Sequence, residues 1–96
     1  MKVKLDDYYV RVLINGLFRQ HRDYDEETND EINSLLIRLV DISDSMKPNR
    51  RKKIEFTPSE ATLIVRCLTK WRNMEIQAEK FTAAEVIGEL LMLFVK

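Results

Sequence analysis

Apolar residues recur along this 96-residue chain at the three-and-four spacing of amphipathic helices, in four blocks separated by polar breaks. Tyr9, Val10, Leu13, Ile14 and Leu17 mark the first block. Ile32, Leu35, Leu36, Leu39, Val40, Ile42 and Met46 mark the second. Ala61, Ile64, Val65, Leu68 and Trp71 mark the third, and Ala83, Val86, Ile87, Leu90, Leu91 and Phe94 the fourth. Thr28 to Glu31, Thr57 to Glu60 and Thr82 to Glu85 all read Thr-x-x-Glu, and each precedes an apolar run. In such a capping box the Thr side chain accepts from the backbone N–H three residues on, while the Glu reaches back to the N–H of the Thr. Asp6 or Asp7 supplies a cap for the first helix. The spacing therefore predicts helices over about 7–22, 29–45, 58–78 and 83–95. Pro58 sits at a first helical position, where its missing N–H costs nothing. Pro48 ends the second helix by pushing the preceding residue out of the α region. Phe81 and Val86 flank the last box as a hydrophobic staple.

Two segments depart from the helical period. Asn15-Gly16 is a hairpin signal between alternating residues. The residues after it do not alternate, so a helix is favoured, with Gly16 as a weak point or a close helix crossing. Lys2 to Leu5 and Lys53 to Phe56 alternate at period two and could pair as a short ribbon, within one chain or between chains. The fold class is all-α: one domain over 1–96 built of two helical hairpins, at about 6–46 and 57–96, joined by a basic connection at 47–56. A shift of 55 positions lays Val10 and Leu13 on Val65 and Leu68, and Ile32, Leu35 and Leu36 on Ile87, Leu90 and Leu91. Internal duplication and the ordinary alignment of any two amphipathic hairpins both account for this.

Sixteen basic and sixteen acidic residues give zero net charge, so no overall field draws nucleic acid or an anionic membrane. A single cysteine excludes an internal disulfide or a cysteine zinc cluster, and a reduced, cytoplasmic setting is expected. The longest apolar run, Leu90 to Val95, is six residues and reads as a buried helix end rather than a membrane span. A chain this small buries about 60–65% of its unfolded surface, so a partner chain would add stability.

The charges are segregated. Asp23, Asp25, Glu26 and Glu27, with Asp30 and Glu31 beyond, crowd the first hairpin loop; Lys47, Arg50, Arg51, Lys52 and Lys53 crowd the connection between hairpins. In an up-down arrangement a helix of about 16 residues, about 24 Å, separates them. That exceeds the Debye length of about 8 Å, so the zero sum describes a dipolar molecule. The basic connection supports an alternative function, a small nucleic-acid-binding regulator gripping phosphates, with Asn49 adding a polar contact. Its plainer reading is a solvated linker. The acidic loop supports a decoy for a basic surface, against the plainer role of capping and dipole complementation.

Catalysis finds little footing. His21 is the sole histidine and has no evident orienting partner or nucleophile. Cys67 lies beside the core stripe and reads as a small buried residue. Gly16 and Gly88 stand alone, so no Gly-rich phosphate loop exists, and no set has metal-ligand spacing. The expectation is a non-enzyme without cofactor or metal.

Trp71 continues the core stripe three residues after Leu68, yet Trp is also enriched at interface centres. Leu63, Cys67 and Met74 flank the third stripe; Ile37, Met92, Leu93, Tyr8 and Phe18 fall outside the others. One small core cannot bury all of these, which suggests a homodimer or another protein partner. Trp71, Arg72, Leu63 and Met74 are the candidate interaction residues. The run Lys53 to Phe56, Thr57 to Glu60, Leu68, Trp71-Arg72-Asn73 and Phe81-Thr82 resembles small uncharacterised helical proteins of phages and mobile elements of Gram-positive bacteria. That resemblance implies a short interaction protein and assigns no residue a role. The leading expectation is a self-associating, non-catalytic protein–protein interaction module.

Overall fold

The computed structural model describes residues 1–95. Its elements run β1 (Lys2–Asp6), α1 (Asp7–Arg19), α2 (Glu26–Ser45), β2 (Arg51–Glu55), α3 (Pro58–Gln77) and α4 (Phe81–Phe94). The protein is mostly helical, with one small antiparallel sheet. The period-two segments do pair, within one chain, in a register that sets Val3 opposite Ile54 and Lys4 opposite Lys53. Val3, Leu5 and Ile54 point inward, and Phe56 beyond β2 is buried with them. The N-terminal amine closes the ribbon by donating to the Phe56 carbonyl at 2.9 Å.

One capping box forms as expected: Glu60 N–H donates to Thr57 Oγ1 at 3.1 Å and Thr57 N–H to Glu60 Oε1 at 2.8 Å. The other two do not. Asp25 caps α2 by accepting from Thr28 N–H, so the helix starts at Glu26 and Thr28 lies inside its first turn. Asp outranks Thr as a cap, and here it comes first along the chain. Helix α4 starts at Phe81 after Lys80 and has no side-chain cap, which leaves Thr82 two residues past the cap position. The expected Phe81–Val86 staple is also absent, because Phe81 is already inside the helix. Helix α1 ends at Arg19 rather than 22, and Asp6 caps its start by accepting from Tyr9 N–H at 2.8 Å.

The core gathers Val10, Leu13 and Leu17 of α1, Ile32, Leu35 and Leu39 of α2, Leu63, Ile64, Cys67 and Leu68 of α3, and Ile87, Leu90 and Phe94 of α4. Helix α3 packs most extensively on α4, and α1 packs on α2 and α3, whereas α1 and α4 barely touch. The sparse α1–α4 contact leaves an opening between them. Phe56 meets Phe94 edge-on at 5.3 Å between ring centres, beneath the Arg38 guanidinium. Arg38 also pairs with Glu60 at 3.1 Å and donates to the Glu55 carbonyl at 2.8 Å, which ties α2 to the start of α3. Among the described residues no helix is long and apolar enough to cross a membrane.

Candidate functional site

The opening between α1 and α4 is an apolar cleft of about 610 Å³. Tyr8 and Val12 line it from α1, Phe81 and Val86 from α4, and Trp71 reaches into it from α3. Tyr8, Val12 and Gly16 share one stripe of α1 at i, i+4 spacing. Gly16 is buried, and a methyl group there would lie 2.8 Å from Trp71 Cε3. The Asn-Gly pair therefore marks a close helix crossing inside an intact helix. The Trp71 ring is held from other directions too. Its indole N–H donates to Glu75 Oε1 at 3.1 Å, and the Arg19 guanidinium stands 5.4 Å from the ring centre. Glu75 is a buried carboxylate one turn further along α3, and among the described residues this is the one hydrogen bond its side chain makes.

The mouth of the cleft breaks several local rules. Helix α3 ends in a Schellman turn: Lys80 N–H donates to the Glu75 carbonyl at 2.8 Å and Glu79 N–H to the Ile76 carbonyl at 3.0 Å. The left-handed position of that motif normally holds glycine, yet here Glu79 sits at φ 59°. The next helix begins without a cap, and its first residue, Phe81, is 63% exposed. A strained residue, an uncapped helix and a bared aromatic ring meet at the rim. Local rules tend to be broken at functional sites, where something other than stability selects the residue.

Of the four interaction residues expected from the sequence, the cleft contains Trp71 alone. Leu63 is buried in the core rather than exposed beside Trp71, a correction that follows from its place on the face of α3 turned toward the acidic start of α2. Arg72 lies over Gly88, where a methyl would come within 3.2 Å of its Nε, so it packs α3 onto α4. Met74 is half exposed on another face, beside Tyr24 and Arg66. The sequence reading missed Val12 as a lining residue and assigned Phe81 and Val86 to a staple. The i, i+4 run from Tyr8 through Gly16 was the available signal.

The charged poles lie at opposite ends of α1, whose 13 residues span about 20 Å. At one end Asp25 caps α2, and the hydrogen bonds from Thr28 hold its carboxyl below the usual range. Asp23 pairs with Lys70 at 3.5 Å, and Glu26 and Glu27 occupy the first turn of α2. At the other end a turn runs from Lys47 to Arg50, closed by Arg50 N–H to the Lys47 carbonyl at 3.2 Å. Asn49 takes φ 62° there, after Pro48, the pattern of a type II turn. Its N–H donates to Asp7 Oδ1 at 3.3 Å, which fixes the turn to the start of α1. Lys47, Arg50, Arg51 and Lys52 line a shallow cleft of about 310 Å³ with Ser45 and Met46; Lys53 projects from the ribbon.

Cys67 is fully buried, and burial raises its thiol pKa. Its carbonyl accepts from Gln20 Nε2 at 2.6 Å, and Gln20 Oε1 accepts from the Tyr24 hydroxyl at 2.6 Å. Burial pushes the Tyr24 phenol up to about 12. His21 stacks on Phe18 with ring centres 4.8 Å apart. Among the described residues no three His, Cys, Asp or Glu side chains are placed to share a metal ion. The chain matches no protein-family model, no curated protein and no solved structure.

Proposed function

We propose that the protein is a small, non-catalytic protein–protein interaction module that self-associates as a homodimer through the cleft around Trp71. The observation that carries this reading is the cleft itself, an apolar groove with a protruding aromatic at its own rim. Tyr8 is 55% and Phe81 63% exposed beside a concavity lined by Val12, Trp71 and Val86. A two-fold interface needs a patch that carries both knob and hole, because each copy presents the same surface. Phe81 of one copy and the groove of the other meet that requirement.

The surface area supports the same reading. The chain exposes 6334 Å². A compact monomer of its 11.4 kDa mass exposes about 5,800 Å² by the usual scaling. The halves, each strand-helix-helix, are read as an internal duplication: Leu13 and Leu68, Ile32 and Ile87, and Leu35 and Leu90 are buried alike. The resemblance to phage and mobile-element proteins fits a short cytoplasmic interaction partner.

Trp71 is the sole tryptophan, so its emission reports the cleft alone. On dilution the wild-type emission should shift to the red as dimers separate, and Phe81→Ser should show the shifted emission at every concentration. An emission independent of concentration in both proteins would refute self-association through this face.

A further inference from the structure

The basic residues of the connection are not alone on their side of the molecule. The β-ribbon brings β1 against β2, and with it two lysines from the start of the chain. Lys2 and Lys4 share the solvent face of the ribbon with Arg51 and Lys53, while Lys47 and Arg50 extend that basic surface around the type II turn. Among the described residues none of these six side chains makes an ion pair.

The carboxylates nearest to them have other work. Asp6 caps α1, Asp7 takes Arg11 and the Asn49 N–H, and Glu55 lies 3.7 Å from the amino terminus. Glu89, at the edge of the ribbon, accepts from the Tyr9 hydroxyl at 2.9 Å. Asp41 and Asp44, on the last turns of α2, are exposed and make no ion pair among the described residues. The ribbon thus holds cations whose neighbouring acids are largely committed to the backbone, the turn and the terminus.

One pair costs the fold something. Lys4 and Lys53 are direct cross-strand neighbours, both exposed, and like charges in that position destabilise a sheet. Among the described residues no hydrogen bond or ion pair of either side chain offsets that cost. A turn and a two-stranded ribbon that present Lys2, Lys4, Arg51 and Lys53 at alternate positions, with Asp6 and Glu55 at the two ends of the same face, are suited to a polyanion with regularly spaced charges. A ribbon of this width enters the major groove of a duplex. Its solvent face, of Lys, Arg, Asp and Glu, carries no Asn or Gln to read adenine edges. Phosphate contacts of this kind position a protein without specifying sequence.

We propose that the solvent face of the β1–β2 ribbon, with the Lys47–Arg50 turn, is a phosphate-binding surface that holds the backbone of duplex nucleic acid without reading its sequence. Lys2 and Lys4 belong to this surface as fully as the basic connection does. It shares no lining residue with the Trp71 cleft, so a dimer would present two such ribbons.

The test is fluorescence anisotropy with a short labelled mixed-sequence duplex, over a salt series. Six phosphate contacts should weaken binding about a thousandfold between about 50 and about 200 mM salt. Lys4→Gln with Lys53→Gln should lower the slope of log K against log salt by about 1.8. The same double variant should melt no lower than the wild type, because it relieves the like-charge pair. Lys47→Gln with Arg50→Gln should lower the slope by a similar amount. Binding lost together with a lowered melting temperature in both double variants would overturn the proposal, since damage to the fold would then explain the loss. So would an unchanged slope in the Lys4/Lys53 variant, no binding at about 50 mM salt, or equal affinity for polyglutamate or phosphatidylserine vesicles.

Discussion

Trp71 rests its six-membered ring on the backbone of Gly16, so closely that a methyl group at position 16 would stand 2.8 Å from Cε3. This contact couples α1 to α3 and sets the floor of the apolar cleft. Helix propensity alone would favour alanine at position 16 by about 1 kcal/mol. The ring cannot yield easily, because Glu75 and Arg19 hold it from other sides. Overpacking of this kind costs about 1–3 kcal/mol. Gly16→Ala should therefore destabilise the protein on urea denaturation despite its better propensity. Gly88→Ala is the contrasting case. Its methyl would meet Arg72 Nε at 3.2 Å, on an exposed and flexible side chain that can swing aside. That substitution should be neutral or stabilise by up to about 1 kcal/mol.

Glu79 occupies the glycine position of the Schellman turn at φ 59°. A residue with a Cβ pays about 1–2 kcal/mol there, and glycine loses part of that gain to chain entropy. Glu79→Gly should raise stability by about 0.5–1 kcal/mol on denaturant titration. A loss of stability would mean that the Glu79 side chain makes a favourable contact at the rim.

The Tyr24 phenol is pushed up to about 12 from the usual 10 by burial, followed by the influence of Cys67. A group whose folded pKa is raised contributes stability that is complete below its unfolded pKa and is lost as pH rises through the folded value. This contribution should be intact up to about pH 10 and fall away between there and about 12. Ultraviolet titration should show the Tyr24 phenolate appearing late, in step with unfolding, alongside Tyr9, whose phenol is also raised by its hydrogen bond to Glu89. Tyr24→Phe should remove that late phenolate. It should also cost about 1–3 kcal/mol at neutral pH, because Gln20 Oε1 loses its donor while Gln20 stays only 2% exposed.

The helices were legible because their apolar residues keep the 3.6-residue period, and the ribbon because Lys2–Leu5 and Lys53–Phe56 keep the period of two. Helix starts were harder. Thr57, followed by proline and Glu60, satisfies every local rule and forms the expected box. Thr28 loses to an Asp that comes three residues earlier, and Thr82 loses to the tight turn after α3, which delivers the chain into helix at Phe81. Burial followed the stripes except where neighbours decide it: Leu63 is covered by α2, and Val40 is left exposed. The cleft was the least legible feature. Its residues come from three helices, and only packing shows that α1 and α4 stay apart while Trp71 fills the gap at Gly16. The gathering of Lys2 and Lys4 with Arg51 and Lys53 likewise needed the register of the ribbon.

Sedimentation equilibrium of the wild type and of Phe81→Ser, at low and physiological salt, tests the central claim most directly. The expected result is a wild-type dimer that withstands salt, since apolar burial is not screened, and a Phe81→Ser protein that is folded and monomeric. A wild type that stays monomeric at the highest attainable concentration, or a dimer that survives the loss of Phe81 intact, would contradict it.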